Sequence, residues 1–289
     1  MERILITGAE SYIGDSFARW LGVHCPDCSV FIQDVRTDDW KQLDFSAFDT
    51  VLHVAGIVHQ KQTDENRSLY FRVNRDLTLE IAEAAKAAGV KQFLFLSTMS
   101  VYQKTQGMIG PATPPVGGDA YGQSKLKAEQ GLALLRDADF CVAVLRPPMI
   151  YGPGCKGNFR SLIRIALGAP LFPIVQNRRS MLYIDHLCAF LKLCIDRRLD
   201  GVFFPQNAES VNTTQMARWI ASANGKKLHA SRLLGLLVRA AMPFSAKLQK
   251  AFGSLTYEGT EVFNFEYDTV SNEASVRVSA ENRGEGSGR

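Results

Sequence analysis

Short, uninterrupted apolar runs alternate along the chain with longer stretches in which apolar residues return every three or four positions. Residues 3–7 (RILIT), 29–33 (SVFIQ), 49–54 (DTVLHV), 92–97 (QFLFLS) and 141–145 (CVAVL) are runs of the first kind. Runs this uniform fit strands covered on both faces better than strands with one wet side. Helical patterns lie between them at 12–21, 69–88 and 121–136, the second closed by Gly89. Strands separated by helices predict an α/β fold with a Rossmann-type, doubly wound parallel sheet. Right-handed crossovers then bring the strand C-termini, and the loops after them, to one edge where ligands bind.

The pattern changes after Pro147. "RPPMIYGPGCKGNF" carries three prolines and three glycines, which predicts that the chain leaves the sheet there. The expected organisation is a dinucleotide-binding domain over 1–150 and a smaller, mostly helical substrate-binding lobe over 151–277. The chain is expected to return to the sheet around 179–204, and the polar, glycine-rich 278–289 reads as a frayed tail. Helices are expected at 159–167, 183–196, 213–224 and 233–242, with a late strand at 202–204. The last of these helices, in "SRLLGLLVRAAM", is amphipathic; packing within the small lobe is preferred over lying on a membrane surface.

Composition narrows the classes. The chain has 289 residues, 46% hydrophobic and 21% charged, enough for a core plus a subdomain. The net charge of +4 is dispersed, with no basic stripe for nucleic acid. No apolar run approaches a membrane span. Glu2 and Arg3 lead straight into the first strand, so no secretory leader is expected. Cys25 and Cys28 form the one CxxC pair; lacking a second pair at ligand spacing, they read as incidental thiols, with no metal site. The expectation is a reduced, cytoplasmic protein.

Candidate chemistry starts at "ILITGAESYIGD". Gly8 and Gly14 bracket a strand-to-helix turn that lets backbone approach a pyrophosphate, with Tyr12 and Ile13 in the first helical turn. Ser11 stands where such loops usually carry a middle glycine. Asp34, followed by Val35, ends the second strand twenty positions after Gly14. A carboxylate there binds ribose hydroxyls and repels the 2′-phosphate of NADP, which points to NAD. Tyr121 and Lys125 sit one helical turn apart, and an ammonium beside a phenol favours phenolate. The strand "FLFLS" delivers Ser97, Thr98 and Ser100 to the same edge.

In this order the pieces resemble the extended short-chain dehydrogenase/reductases, specifically the NAD-dependent epimerase/dehydratase family acting on nucleotide sugars. The resemblance covers 3–225 and rests on "TGAESYIG", Asp34, "LHVAG", "YFRVNRDL", "LSTMSVY", "YGQSK", "LRPPMIYGPG" and "RSMLYIDHL". It implies that Thr98 is the catalytic hydroxyl, Tyr121 the acid/base, and Lys125 the lysine on the nicotinamide ribose. It further implies that Val54, Ala55, Gly56, Asn74 and Pro148 border the cofactor, and that Asp44 and Phe45 contact adenine. Asn158 and Arg179 resemble the residues that hold the nucleotide diphosphate, and His186 occupies a structural position. Ser11, Met149 (where many relatives have asparagine) and the short segment between Asp34 and Asp49 depart from the pattern.

What the resemblance implies about activity is NAD-dependent epimerisation of a UDP-hexose at C4 through a 4-keto sugar. The alternative is an NAD(P)H-dependent UDP-4-keto-hexose 4-reductase in surface-polysaccharide precursor synthesis. Dehydration is disfavoured, because Met99 and Ser100 stand where dehydratases carry an Asp-Glu pair. A dinucleotide-sensing regulator without activity would be expected to lack the Tyr/Lys pair. Relatives pair through helices corresponding to 74–88 and 121–136, so a homodimer is expected.

Overall fold

A computed structural model describes residues 2–58, 64–258 and 266–281. They form two compact units. The first comprises residues up to Gln103, Thr113–Pro148 and Leu187–Pro205; the second comprises Lys104–Ala112, Met149–His186 and the chain from Gln206.

The first unit is an α/β, Rossmann-type layer structure. Its sheet has six strands, all parallel. Four are β1 (Arg3–Thr7), β2 (Ser29–Gln33), β3 (Thr50–His53) and β4 (Gln92–Leu96); Cys141–Leu145 and Gly201–Phe203 complete it. From one edge the order is 201–203, 141–145, β4, β3, β1, β2. The central strands are apolar without alternation because both faces are covered: Ile4, Leu5 and Ile6 are all 0% exposed. On one face Leu5, Val51, Phe93 and Phe95 pack with Ile81, Ala85, Ala128 and Leu132.

Helix α1 (Tyr12–His24) follows β1 directly, and Phe17 and Leu21 are buried on its inner side. The single helix expected over 69–88 is instead three pieces: α2 (Asp64–Phe71), a π-helical turn at Arg72–Asp76, and α3 (Leu77–Ala87). Apolar periodicity does not reveal one widened turn. Its effect is to put the Asn74 side chain wholly inside the protein, and such turns gather at functional sites. Helix α4 (Ala120–Leu135) starts at Asp119, whose carboxylate accepts from Gly122 N at 2.9 Å. Cys25 and Cys28, expected as free thiols, are joined as a disulfide between the end of α1 and the start of β2.

In the second unit α5 (Asn158–Gly168) and α10 (Asn272–Ala280) both pack on α7 (Thr213–Ala223). Three short parallel pairs join 149–151 to 181–183, 172–173 to 230–231, and 107–109 to 255–257. Residues 278–280, assigned by composition to a frayed tail, are the last turn of α10, with Ser279 and Ala280 buried; 282–289 lie outside the described residues. Helix α6 (Ile184–Asp196) begins in this unit and ends in the first. Helix α8 (Arg232–Ala241) packs on the 172–173 strand of this unit, as preferred, through the buried Gly235 and the half-buried Leu234 and Val238. A Cβ on Gly235 would fall 2.0 Å from Ile174 O. The helix therefore comes close to the lobe by its backbone at Gly235, while Leu233, Leu236 and Leu237 face outward.

Beneath the candidate site, Glu129 on α4 pairs with Arg146 just past the strand Cys141–Leu145, at 6% and 8% exposure. Arg146 Nε donates to Glu129 Oε1 at 3.1 Å, its NH1 donates to Tyr102 OH at 2.7 Å, and Ser97 Oγ donates to Glu129. Breaking such a pair is costlier than replacing it. Glu129→Ala should lower stability by about 3–5 kcal/mol, and the double variant Glu129→Leu/Arg146→Met by clearly less. Urea unfolding of both measures this; equal losses would contradict it.

Candidate active site

β1 ends at Thr7, and its carbonyl accepts from both Val54 N (3.1 Å) and Ala55 N (3.0 Å), laying the turn after β3 across the start of the glycine loop. Gly8 has φ +123°, and a Cβ on it would lie 2.8 Å from Ala55 N. Only glycine fits that approach. On Gly14 a Cβ would press Ile6 Cγ2 at 3.0 Å and Val54 Cγ2 at 3.2 Å, so α1 rests directly on the strands. Ser11 caps α1, its Oγ accepting from Gly14 N at 3.4 Å, ahead of Tyr12 and Ile13. The missing middle glycine is thus replaced by a residue with a local task.

Asp34 lies just beyond β2. Its carboxylate receives Arg36 Nε at 3.0 and 2.9 Å and NH2 at 2.6 Å, while Arg36 NH1 reaches Glu10 at 2.9 Å. The guanidinium holds the Asp34 carboxyl below the usual carboxylate range. Val35 beside it is buried in the core. Asp44 caps a 3-10 turn through Ser46 N (3.0 Å), and Phe45 packs edge-on against Trp40. These two line a separate cavity of about 500 Å³ with Trp40 and Ala84, to which neither glycine nor Asp34 contributes.

The reactive groups converge at the C-terminal end of β4. Thr98 accepts from Ser100 N at 3.1 Å, and its hydroxyl is hydrogen-bonded to the Tyr121 phenol. Lys125, 3% exposed, donates to Leu96 O at 2.8 Å and sits 4.5 Å from the Phe95 ring centroid. A Cβ on Gly56 would be 3.3 Å from Lys125 Nζ and 3.0 Å from Asn74 Oδ1, so the cofactor turn touches both. Asn74 accepts from Ile57 N (2.8 Å) and donates to Ile57 O and Ser124 Oγ (3.1 Å each). Pro148 is buried at the end of this unit's segment.

Burial decides the electrostatics. It pushes the Tyr121 phenol up to about 12, outweighing the Thr98 hydrogen bond, and pulls the Lys125 ammonium down to about 7. The expected ammonium-favoured phenolate is therefore not what the protein's own groups produce. His53, absent from the sequence-derived site, is buried at the end of β3 and held near 3 by burial and by Lys125. Thr78 Oγ1 donates to Asn74 O (3.0 Å), so His53 Nε2–H donates to Thr78 (3.0 Å) and Thr7 donates to Nδ1 (2.7 Å). Its place in "LHVAG" was the available signal.

In the second unit, Asn158 is the first residue of α5. Arg179 NH1 donates to Gly253 O at 2.9 Å, and no carboxylate pairs with it among the described residues; burial pulls its guanidinium below the ordinary value. His186 is fully buried, with Nδ1 on Asn207 Oδ1 at 3.0 Å and Nε2 accepting from Val270 N at 3.2 Å.

Glycine cradles that a Cβ would fill, a capped α1 N-terminus and an acid beyond β2 fit a dinucleotide. The comparisons agree. The profile of the NAD-dependent epimerase/dehydratase family matches residues 4–202, and the chain belongs to this family. NAD is its cofactor. The chain is 30% identical to the UDP-glucose 4-epimerase of Vibrio cholerae over 255 residues, 77% of this chain and 76% of that one. It is 26% identical to a 3 beta-hydroxysteroid dehydrogenase/Delta 5→4-isomerase of Mycobacterium tuberculosis over 287 residues, 87% and 77% of the two chains. In fold it is similar to the UDP-glucuronic acid 4-epimerase of Bacillus cereus solved with NAD, at TM-score 0.73, 19% identity and 96% and 97% coverage.

Lys125 also shapes stability. With the native ammonium near 7 and an unfolded value of 10.5, the unfolded chain binds more protons between those limits. Stability should therefore rise with pH from about 7, by up to about 1.4 kcal/mol per pH unit. Above 9 the buried thiols of Cys155 and Cys194, and then Tyr121, pull the other way. Urea midpoints at pH 7 and 9 should differ less in Lys125→Met than in the wild type; equal differences would contradict the assignment.

Proposed function

We propose that this protein is a UDP-hexose 4-epimerase. The observation that carries the reading is the cluster of Thr98, Tyr121 and Lys125 at the end of β4, against the Gly56 turn, with no carboxylate at Met99 or Ser100. The Gly8–Gly14 loop and Asp34 would hold NAD, which would supply the hydride acceptor and donor that inversion at C4 through a 4-keto sugar requires. Tyr121 takes the proton of the 4-hydroxyl and later gives it back, while Thr98 hydrogen-bonds the same oxygen. At about 12 the phenol keeps its proton at neutral pH and little phenolate is available to act as base. Nearby positive charge lowers that value, so the phenolate fraction rises when a cationic nicotinamide and a protonated Lys125 are both close. Removal of water from C5 and C6 lacks its acid–base pair here.

Arg179 supports a diphosphate substrate. A mostly buried guanidinium with a carbonyl partner and no carboxylate retains capacity for an anion, and arginine binds phosphate oxygens bidentately. Asn158 at the α5 N-terminus adds a polar group of the kind that phosphates accept from.

The test is proton NMR of UDP-glucose, and in parallel UDP-N-acetylglucosamine, with purified protein and substoichiometric NAD. Conversion of either to its 4-epimer beyond the amount of cofactor is the expected result. Tyr121→Phe should lose about 10³-fold or more in turnover with NAD still bound. Conversion of neither sugar, with reduction of a 4-keto sugar at the expense of NADH, would make the protein a reductase instead.

A further inference from the structure

Helix α8 is apolar on two sides, and only one of them, that of Leu234, Gly235 and Val238, is covered by the lobe. Leu233, Leu236 and Leu237 are 68%, 63% and 59% exposed, and Phe244, in the turn Met242–Phe244 that follows, is 90% exposed. At about 100° per residue, Leu236, Ala240, Leu233 and Leu237 share one arc of about 100°. Gly235 lies on the opposite side against Ile174. Arg232 and Arg239 fall together on one border of that arc. A helix exposed to water normally carries the reverse arrangement, and contiguous apolar exposure marks an interaction surface.

The charge around this face is one-sided. Residues 226–257 contain Lys226, Lys227, Arg232, Arg239, Lys247 and Lys250 and no aspartate or glutamate, in a chain whose total charge is only +4. All six cations are exposed. The helix needs no partner to form: Ser231 caps α8, accepting from Leu234 N at 3.2 Å, and Ser245 caps the next helix, accepting from Leu248 N at 3.3 Å. Among the described residues no helix is long and apolar enough to cross a bilayer.

We propose that α8 and the Met242–Phe244 turn form a docking surface for an anionic phospholipid bilayer. Leu233, Leu236, Leu237 and Phe244 enter the headgroup–acyl boundary, and the surrounding lysines and arginines meet lipid phosphates. An apolar stripe bordered by cations is the amphipathic pattern of helices that lie in the plane of a membrane interface. A stripe covered by a second copy of this chain would set two such segments, each with six cations and no acid of its own, against one another, which charge complementarity disfavours. The surface lies wholly in the second unit and does not rest on the assigned reaction.

The full chain is sedimented with phosphatidylcholine vesicles, with and without a quarter of phosphatidylglycerol. Partitioning into the anionic vesicles should exceed that into neutral ones by about tenfold or more and fall with added salt. Leu236→Glu and Phe244→Glu should each reduce it at least about tenfold while circular dichroism and turnover of soluble substrate stay unchanged. No binding, or equal binding to neutral vesicles, would overturn the proposal. So would light scattering that shows a dimer converted to monomer by Leu236→Glu without any vesicle binding.

Discussion

One buried amide organises the catalytic edge. Asn74 bonds both backbone groups of Ile57 and the Ser124 hydroxyl at once, tying the turn after β3 to α4. Lys125 is the next residue on that helix and Tyr121 lies one turn before it. The closeness of Gly56 to Lys125 therefore depends on an amide with no access to water, whose loss would leave both half-buried backbone groups of Ile57 without their partner. The widened turn at Arg72–Asp76 is what aims that amide inward. Behind it, hydrogen bonds from Thr7 through His53 and Thr78 to the Asn74 carbonyl join β1, β3 and α3. A histidine held near 3 serves here as an uncharged connector.

The same dryness sets the chemistry. Burial moves Tyr121 and Lys125 in opposite directions, each toward its neutral form, up to about 12 and down to about 7. A phenol near 12 keeps its proton until positive charge arrives, and in the proposed reaction this ties phenolate formation to cofactor binding. Electrostatic interactions at this depth are stronger than in water, so a single cationic ring has leverage. The Glu129–Arg146 pair, roofed by Ser97 and Tyr102, provides the rigid floor.

Much of the first unit was legible because buried parallel strands are apolar nearly throughout: β1 and the strand at 141–145 have the bounds their runs suggest, whereas β2 has the expected bounds but lies at the sheet edge with no residue buried, contrary to the expectation of cover on both faces. Gly8, Gly14, Asp34, Thr98, Tyr121 and Lys125 were legible because each sits just past a strand or at the start of a helix. Other features were not. A π-turn leaves helical periodicity nearly intact, so Asn74 could be named from its motif while its clamp could not. The Arg36 clasp on Asp34 and Glu10 depends on side-chain direction, and Phe45 turned to Trp40. Of the strands of two or three residues, the one at 201–203 was expected at 202–204, while those of the second unit are below what alternation can register. For α8, the pattern does not say that apolar residues occur on both sides; Leu234, Gly235 and Val238 meet the lobe, which leaves Leu233, Leu236 and Leu237 outside.

In the proposed reaction everything turns on Tyr121 becoming a base through cofactor charge. This is tested most directly by the near-ultraviolet tyrosinate absorbance of wild type minus Tyr121→Phe, titrated with and without saturating NAD. Without NAD, Tyr121 should ionise near 12. With NAD its midpoint should fall by at least about one pH unit. A midpoint unmoved by NAD, or one already below 10 in its absence, would contradict the account.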